Sequence, residues 1–71
     1  MKEEYAEAFA KRLKKLRSQK NISRRTLSEL CGFSSSLIAK YENGKKIPTM
    51  ASLIELADFF GCSIDYLVGR E

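Results

Sequence analysis

The residues that most often perform catalysis or bind metals are sparse in this sequence. Histidine is absent, and the cysteines, Cys31 and Cys62, lie in different segments. A serine or cysteine nucleophile is usually activated by a nearby base, most often histidine, and a structural zinc ion needs a tetrahedral set of cysteine or histidine ligands. We therefore expect no enzyme activity, no metal and no cofactor. Both cysteines are expected to be reduced, small and buried.

Basic side chains give the stronger chemical signal. Lysine and arginine total 13 against 9 aspartates and glutamates, a net charge of +4. This balance is typical of a small protein with a polyanionic partner, nucleic acid above all. Charge alone does not distinguish such a protein from other small basic proteins. Much of it lies on the first predicted helix, where a run of lysines is more typical of a solvated face, but Lys40, Lys45 and Lys46 lie outside it.

The length and composition predict one small globular domain, residues 1–71. A chain of 71 residues buries only a modest core and has no space for a deep active-site cleft beside it. Apolar residues make up 44%, and one proline with four glycines favours a few helices over many short strands. No signal peptide or membrane-spanning run is visible. We expect a cytoplasmic protein with no membrane partner.

Apolar periodicity and capping residues predict an all-α protein of five helices. A serine or threonine suited to an N-cap precedes most of the helices, and a glycine or asparagine suited to a C-terminal cap follows most of them. The predicted bounds are 4–19, 24–31, 34–43, 50–60 and 64–68. Ser34 is the predicted start and cap of the third helix.

The apolar face of each helix predicts the core. The residues expected in it are Tyr5, Phe9, Leu13, Leu16, Leu27, Leu30, Phe33, Ile38, Tyr41, Met50, Leu53, Ile54, Ala57 and Phe60. Phe59, Tyr66 and Val68 are apolar residues that this core does not need. They could form a contact surface between two copies of the chain, although Phe59 could equally pack against the last helix.

The segment from Ile22 to Gly44 has the layout of a helix-turn-helix. Its two short helices are separated by a few residues that include Gly32, and the glycine permits the sharp turn. In this motif the second helix of the pair enters the major groove of DNA. The spacing thus predicts that the third helix of this chain faces DNA.

The outer face of that helix carries side chains that can contact bases. If Ile38 faces the core, the opposite face is centred on Ser36 and Lys40 and flanked by Leu37, with Ser35 at the first turn. Lysine can donate to guanine O6 and N7, serine can pair with several bases, and leucine can meet a thymine methyl group. Alternatively, the serines serve only as a cap and a loop.

Several motifs together are similar to those of one known family. They are Ile22 to Glu29, Gly32 to Ser34, Ile38, Tyr41 to Lys45, Pro48 and the downstream runs 53–57, 61–63 and 65–67. They resemble the lambda-repressor and Cro-type helix-turn-helix family, also called the XRE family. The resemblance covers residues 9–68, and the Glu-Asn-Gly-Lys element at 42–45 in register with Gly32 makes it specific. It implies a compact five-helix DNA-binding domain with the helix-turn-helix at about residues 23–43.

The resemblance also implies roles for matched positions. The base-contacting positions are Ser35, Ser36 and Lys40, with Leu37 at a site that is more often polar. The phosphate-contacting positions are Arg24, Asn43, Lys45 and Lys46. Arg24 stands where many members have a glutamine, and an arginine can still contact phosphate. Arg17 and Glu42 match a partly buried salt bridge between the first and third helices.

These features predict a sequence-specific transcriptional regulator, most simply a repressor of phage, mobile-element or bacterial origin. We expect a homodimer on double-stranded DNA with a palindromic operator, joined through the C-terminal region that contains Phe59, Tyr66 and Val68, and no small-molecule ligand. The alternative is an antitoxin or another protein-interaction module with the same fold. An antitoxin usually needs an additional segment to cover its toxin, whereas the resemblance takes up nearly the whole chain, so the regulator is favoured.

Overall fold

All the secondary structure in this protein is helical. The computed structural model describes residues 1–71. Its helices are α1 (Glu3–Gln19), α2 (Arg24–Leu30), α3 (Leu37–Glu42), α4 (Met50–Phe60) and α5 (Ile64–Leu67). The predicted all-α fold of five helices is confirmed, with bounds that agree closely everywhere except at the start of α3. None of these helices combines the length and apolarity that a membrane crossing requires.

Side-chain caps explain where three of the helices begin. The hydroxyls of Ser23, Thr49 and Ser63 each accept a hydrogen bond from the backbone N–H three residues later, at the start of α2, α4 and α5. Such a cap satisfies one of the backbone donors that a helix N-terminus leaves free. At the other end of α4, Gly61 adopts the left-handed conformation (φ 66°) that stops the helix.

The third helix begins later than predicted. Ser34 was expected to start it, but α3 starts at Leu37, and the carbonyl of Ser34 accepts a hydrogen bond from the Leu37 N–H at 3.1 Å in the turn that precedes the helix. Ser36 occupies the N-cap position without a capping bond from its side chain. Serine is a weaker helix former than alanine or leucine, so three consecutive serines favour a turn over a helix. They are also exposed, so no packing offsets this preference.

The helices enclose one apolar core. Helix α1 packs against α3 and α5, α2 packs against α3, and α4 packs against α5. At the centre the rings of Phe9 and Tyr41 meet edge to face, with centroids 5.4 Å apart. The buried apolar residues are Phe9, Leu13, Leu27, Ile38, Tyr41, Leu53, Leu56, Ala57, Leu67 and Val68.

Three residues predicted in the core are exposed instead. Leu30, Met50 and Ile54 have 61%, 64% and 46% of their surface accessible. The buried face of α4 is centred between Leu53 and Leu56, and at about 100° per residue Ile54 lies about 130° from that direction. Leu30 is similarly displaced from the buried face of α2, and Met50 is the first residue of its helix. Apolar periodicity predicted these positions wrongly because it does not show which neighbour covers a face.

The C-terminal aromatic residues are packed more closely than expected. The sequence predicts that Val68 lies outside the core, but this residue is only 8% exposed and belongs to the core. It is therefore not available for a contact with another molecule. Phe59 is half-buried and meets Phe60 edge to face, with the Lys20 ammonium 5.7 Å from the Phe59 ring centre. Tyr66 lies under the guanidinium of Arg12, which is 4.3 Å from the ring centre.

Both cysteines are free thiols that are only partly buried. Burial raises the pKa of each, because a thiolate is poorly solvated there, and the nearby carboxylates of Glu55 (for Cys31) and Glu71 (for Cys62) raise it further. A raised pKa leaves a thiol less reactive at neutral pH. The surroundings of both cysteines therefore suit small packing residues.

Candidate nucleic-acid interface

Helices α2 and α3 form a compact unit around a tight turn. Gly32 has a φ of 73°, which a glycine adopts without strain. The N–H of Gly32 donates to the carbonyl of Glu29 at 3.1 Å, and the N–H of Phe33 donates to the carbonyl of Ser28 at 2.8 Å. The side chains of Leu27 and Ile38, both fully buried, then fix the two helices against the rest of the core.

The outer surface of this unit displays the side chains predicted to contact bases. Ser35, Ser36 and Lys40 are exposed. The N–H of Lys40 donates to the carbonyl of Ser36 at 3.2 Å, so these two residues are neighbours one helical turn apart. Ser35 and Ser36 lie in the turn before α3 rather than on the helix. Leu37 is partly buried against the core, so only part of its side chain is accessible.

A basic loop follows α3 directly. Asn43, Lys45 and Lys46 are exposed, and Pro48 at the far end is buried and anchors the loop. The N–H of Lys45 donates to the carbonyl of Lys40 at 2.9 Å, and the N–H of Gly44 donates to that of Tyr41 at 3.2 Å. This is a Schellman motif, with Gly44 in the left-handed conformation at φ 71°. The backbone that carries Lys45 is therefore fixed relative to α3.

Two arginines place further exposed positive charge at the start of α2. Arg24 and Arg25 are its first residues, and both are exposed. Ser23 caps the same turn by accepting from the Thr26 N–H at 3.0 Å. The first turn of α2 thus combines positive side chains with the positive end of a helix, an arrangement that attracts anions. Lys11, Lys14 and Lys15 are also exposed, on α1.

A bidentate ion pair joins α1 to the last residue of α3. Arg17 donates to Glu42 through Nε at 2.7 Å and through Nη2 at 3.1 Å, and its Nη1 donates to the carbonyl of Ile22 at 2.8 Å. The two side chains are only 14% and 3% exposed. The hydrogen bond to Glu42 is the main cause of the raised pKa of Arg17. The pair holds the end of α3, and with it Asn43, in place against α1.

Sequence reasoning missed several polar contacts inside the fold. Ser28 and Ser52 are the buried polar residues of the protein, at 0% and 6% exposure, and both hydrogen-bond to α3. Arg12, which the sequence placed in a solvated cluster, donates from Nη1 to the carbonyls of Tyr66 and Glu71 at 2.7 and 2.8 Å. A helical wheel gives no signal for Ser28, because it lies about 130° from the centre of the face that Leu27 and Leu30 define in the sequence.

Taken together, two short helices at a glycine turn, an exposed polar outer face and a fixed basic loop define a helix-turn-helix protein. Comparison with known proteins gives the same class: residues 13–67 match the family described as Helix-turn-helix. The chain belongs to this family, of the XRE type, and the resemblance inferred from the sequence motifs is confirmed.

The curated relatives are named as regulators of transcription. The HTH-type transcriptional regulator AnsR of Bacillus subtilis is 42% identical over 60 residues, which cover 84% of this chain and 52% of AnsR. The HTH-type transcriptional activator BcrR of Enterococcus faecalis is 38% identical, over 89% of this chain and 31% of BcrR. The transcriptional repressor RstR of the cryptic phage CTXphi of Vibrio cholerae is 37% identical, over 83% and 53%.

The match is confined to part of each relative. The chain spans about half the length of AnsR and RstR and about a third of BcrR. No solved structure matches the chain significantly.

Proposed function

We propose that this protein regulates transcription by binding a specific sequence of double-stranded DNA, with α3 in the major groove. The observation that carries the proposal is that Ser36 and Lys40 are exposed next to each other, one helical turn apart, on the outer side of the helix-turn-helix. A lysine there can donate to guanine O6 and N7, and the serine hydroxyls can pair with base edges. Because the inner side of α3 is buried through Ile38 and Tyr41, the outer side chains would meet the bases in a fixed register.

Phosphate contacts would position the protein on the duplex. Lys45, Lys46 and Asn43 lie in the loop after α3, and Arg24 lies at the start of α2, so the two groups flank the base-contacting surface along the chain. Cationic side chains around a recognition helix can contact the phosphates that border the groove. These contacts would supply most of the sequence-independent affinity.

A dimer on a palindromic operator completes the proposal. One α3 presents only a few side chains to bases, and each good contact discriminates by about 1–3 kcal/mol, too little to select one site in a genome. A two-fold axis doubles the recognition surface. Phe59 and Tyr66, which are partly exposed, remain the expected contact residues, and Met50 and Ile54 add exposed apolar surface on α4.

Repression is the simplest outcome of such binding, because a protein bound over a promoter excludes the polymerase. The relatives support regulation in general, since RstR is named a repressor and BcrR an activator. We favour the repressor because RstR is matched over a larger share of its own length than BcrR.

Selection of bound sequences from a pool of random duplex DNA tests the proposal. We expect the wild-type protein to enrich a palindromic motif with half-sites about one helical turn apart. Lys40→Ala serves as the matched variant, and its selected motif should lose information at one or two positions in each half-site. A pool that shows no enrichment after repeated rounds would overturn the proposed function.

A further inference from the structure

The core contains two buried polar residues, and both contact the same short helix. Ser28 on α2 and Ser52 on α4 are 0% and 6% exposed. Each hydrogen-bonds to a residue of α3, one near the start of that helix and one near its end. A hydroxyl buried without a partner costs free energy, whereas an apolar residue in its place does not. Their placement at the two ends of α3 therefore calls for a physical reason.

At the start of α3, Ser28 takes the place of a helix cap. Its Oγ accepts a hydrogen bond from the N–H of Ile38 at 3.3 Å. Ser36, at the N-cap position itself, provides no such bond. The acceptor for this terminal N–H thus comes from the neighbouring helix, and its direction depends on how α3 sits against α2. A bond of this kind fixes the angle between the helices as well as the end of the helix.

At the other end, a hydroxyl network joins α3 to the start of α4. The hydroxyl of Tyr41 donates to Ser52 Oγ at 2.9 Å, and Ser52 Oγ lies 3.2 Å from the hydroxyl oxygen of Thr49, the cap of α4. Tyr41 is 1% exposed, with its ring against Phe9. The network closes the basic loop at its base, since the loop that carries Lys45 and Lys46 runs between α3 and α4.

We propose that Ser28 and Ser52 are positioning residues that set the orientation of α3, and thereby the sequence specificity of DNA binding. This inference rests on the proposed function. Helix α3 has only six residues, too few to be stable alone, so its direction must be imposed by its neighbours. Apolar packing is tolerant of small rotations, while hydrogen bonds at both ends are directional. A rotation of α3 would displace Lys40 from its base, whereas long, flexible lysine side chains in the loop can still reach phosphates, which every sequence presents.

The test compares hydroxyl deletions inside and outside this arrangement. Ser28→Ala and Tyr41→Phe each remove one bond to or from α3 with little change of shape. Ser63→Ala is the matched control: it removes the hydroxyl that caps α5, a helix that packs against α1 and α4. For each variant we would measure Kd on a duplex that contains one half-site of the selected motif, so that the dimer contact near Tyr66 plays no part, and on a scrambled duplex of the same length, well below the melting temperature.

Both interior variants should lower the ratio of specific to scrambled affinity by about three- to tenfold, the range expected for one hydrogen bond, while Ser63→Ala leaves the ratio unchanged. An unchanged ratio in folded Ser28→Ala and Tyr41→Phe would overturn the inference, and so would an equal change in Ser63→Ala. If Ser28→Ala does not fold at the assay temperature, Tyr41→Phe decides.

Amide hydrogen exchange of the free protein separates this inference from the proposed function. Ser28→Ala should accelerate exchange of the Ile38 amide by about tenfold relative to amides of α4 such as Leu56, because its acceptor is lost. If the wild-type protein selects no DNA motif, the proposed function fails. The exchange rate of the Ile38 amide then still tests whether Ser28 holds α3 in place. Uniform acceleration across all helices, or none at Ile38, would contradict that role.

Discussion

Lys40 and Lys46 have the same charge but different surroundings, and we expect different consequences when each is removed. Lys40 follows Ser36 by one turn on the outer side of α3, while Lys46 lies in the loop beyond it. Lys40→Ala should cost about 1–3 kcal/mol on the preferred sequence and relax the preference at one or two positions. Lys46→Ala should weaken binding to all sequences about equally.

Titration of a panel of duplexes with single base changes measures both effects. Equal, sequence-independent losses from the two substitutions would show that Lys40 contacts phosphate rather than bases.

The Arg17–Glu42 pair stabilises the fold, and we expect a large loss of stability when only one of the two partners is removed. Arg17→Met leaves the Glu42 carboxylate, 3% exposed, without its bidentate partner, and an unpaired buried charge costs about 3 kcal/mol or more. For a protein of this size we expect the melting temperature to fall by more than about 10 °C. Lys14→Met removes an exposed cation from the same helix and should change it little. Equal melting temperatures for wild type and Arg17→Met would show that the pair contributes nothing.

At the scale of elements, alanine substitutions at two glycines should lower the stability of the fold by different amounts. Gly32 turns the chain between α2 and α3 with φ at 73°, and a Cβ added there would meet no atom within 4 Å. Gly32→Ala should therefore lower the free energy of unfolding only by the strain of a left-handed alanine, about 1–2 kcal/mol. A Cβ on Gly69 would lie 2.6 Å from the Cβ of Ala8 on α1, so Gly69→Ala should cost more. Urea denaturation of both variants gives the comparison, and a larger loss for Gly32→Ala would contradict this account of the turn.

The elements also show how far sequence patterns extend. Local signals, namely capping residues and apolar spacing, predicted the bounds of α2 and α4 closely, because both depend on neighbours within one helix. The start of α3 was predicted wrongly, since serine is a weaker helix former than alanine or leucine and the three serines are exposed, so neither propensity nor packing extends the helix to Ser34. Ile54 was misplaced because its exposure depends on which helix covers α4.

In the candidate site, too, some residues could be predicted from the sequence and others could not. Ser36 and Lys40 follow from a helical wheel once Ile38 is taken as the core direction, although Ser36 lies just before the helix. The hydrogen bonds of Ser28 and Ser52 join residues distant in the sequence. Nothing in the local pattern around either serine specifies its partner, so only the tertiary structure reveals that both hold α3.

At the scale of the whole molecule, we expect assembly on DNA rather than before it. The C-terminal region has little apolar surface to bury in a partner, because Val68 is in the core and Tyr66 lies under Arg12. The free protein should be largely monomeric when dilute, and two copies should occupy one operator with half-sites about 34 Å apart.

Sedimentation of the protein with and without a defined operator, combined with footprinting, measures this. A protected region of only about half a helical turn, with one protein per duplex at saturation, would exclude the dimer.

The salt dependence of binding to the selected duplex tests most directly the central claim that this fold binds DNA. If Arg24, Lys45, Lys46 and further basic residues near the interface neutralise about four to six phosphates per protomer, log K should fall with log salt concentration at a slope of about −4 to −5 per protomer. Lys46→Ala should flatten that slope by about one. A slope near zero for the wild-type protein on every duplex tested would contradict the account.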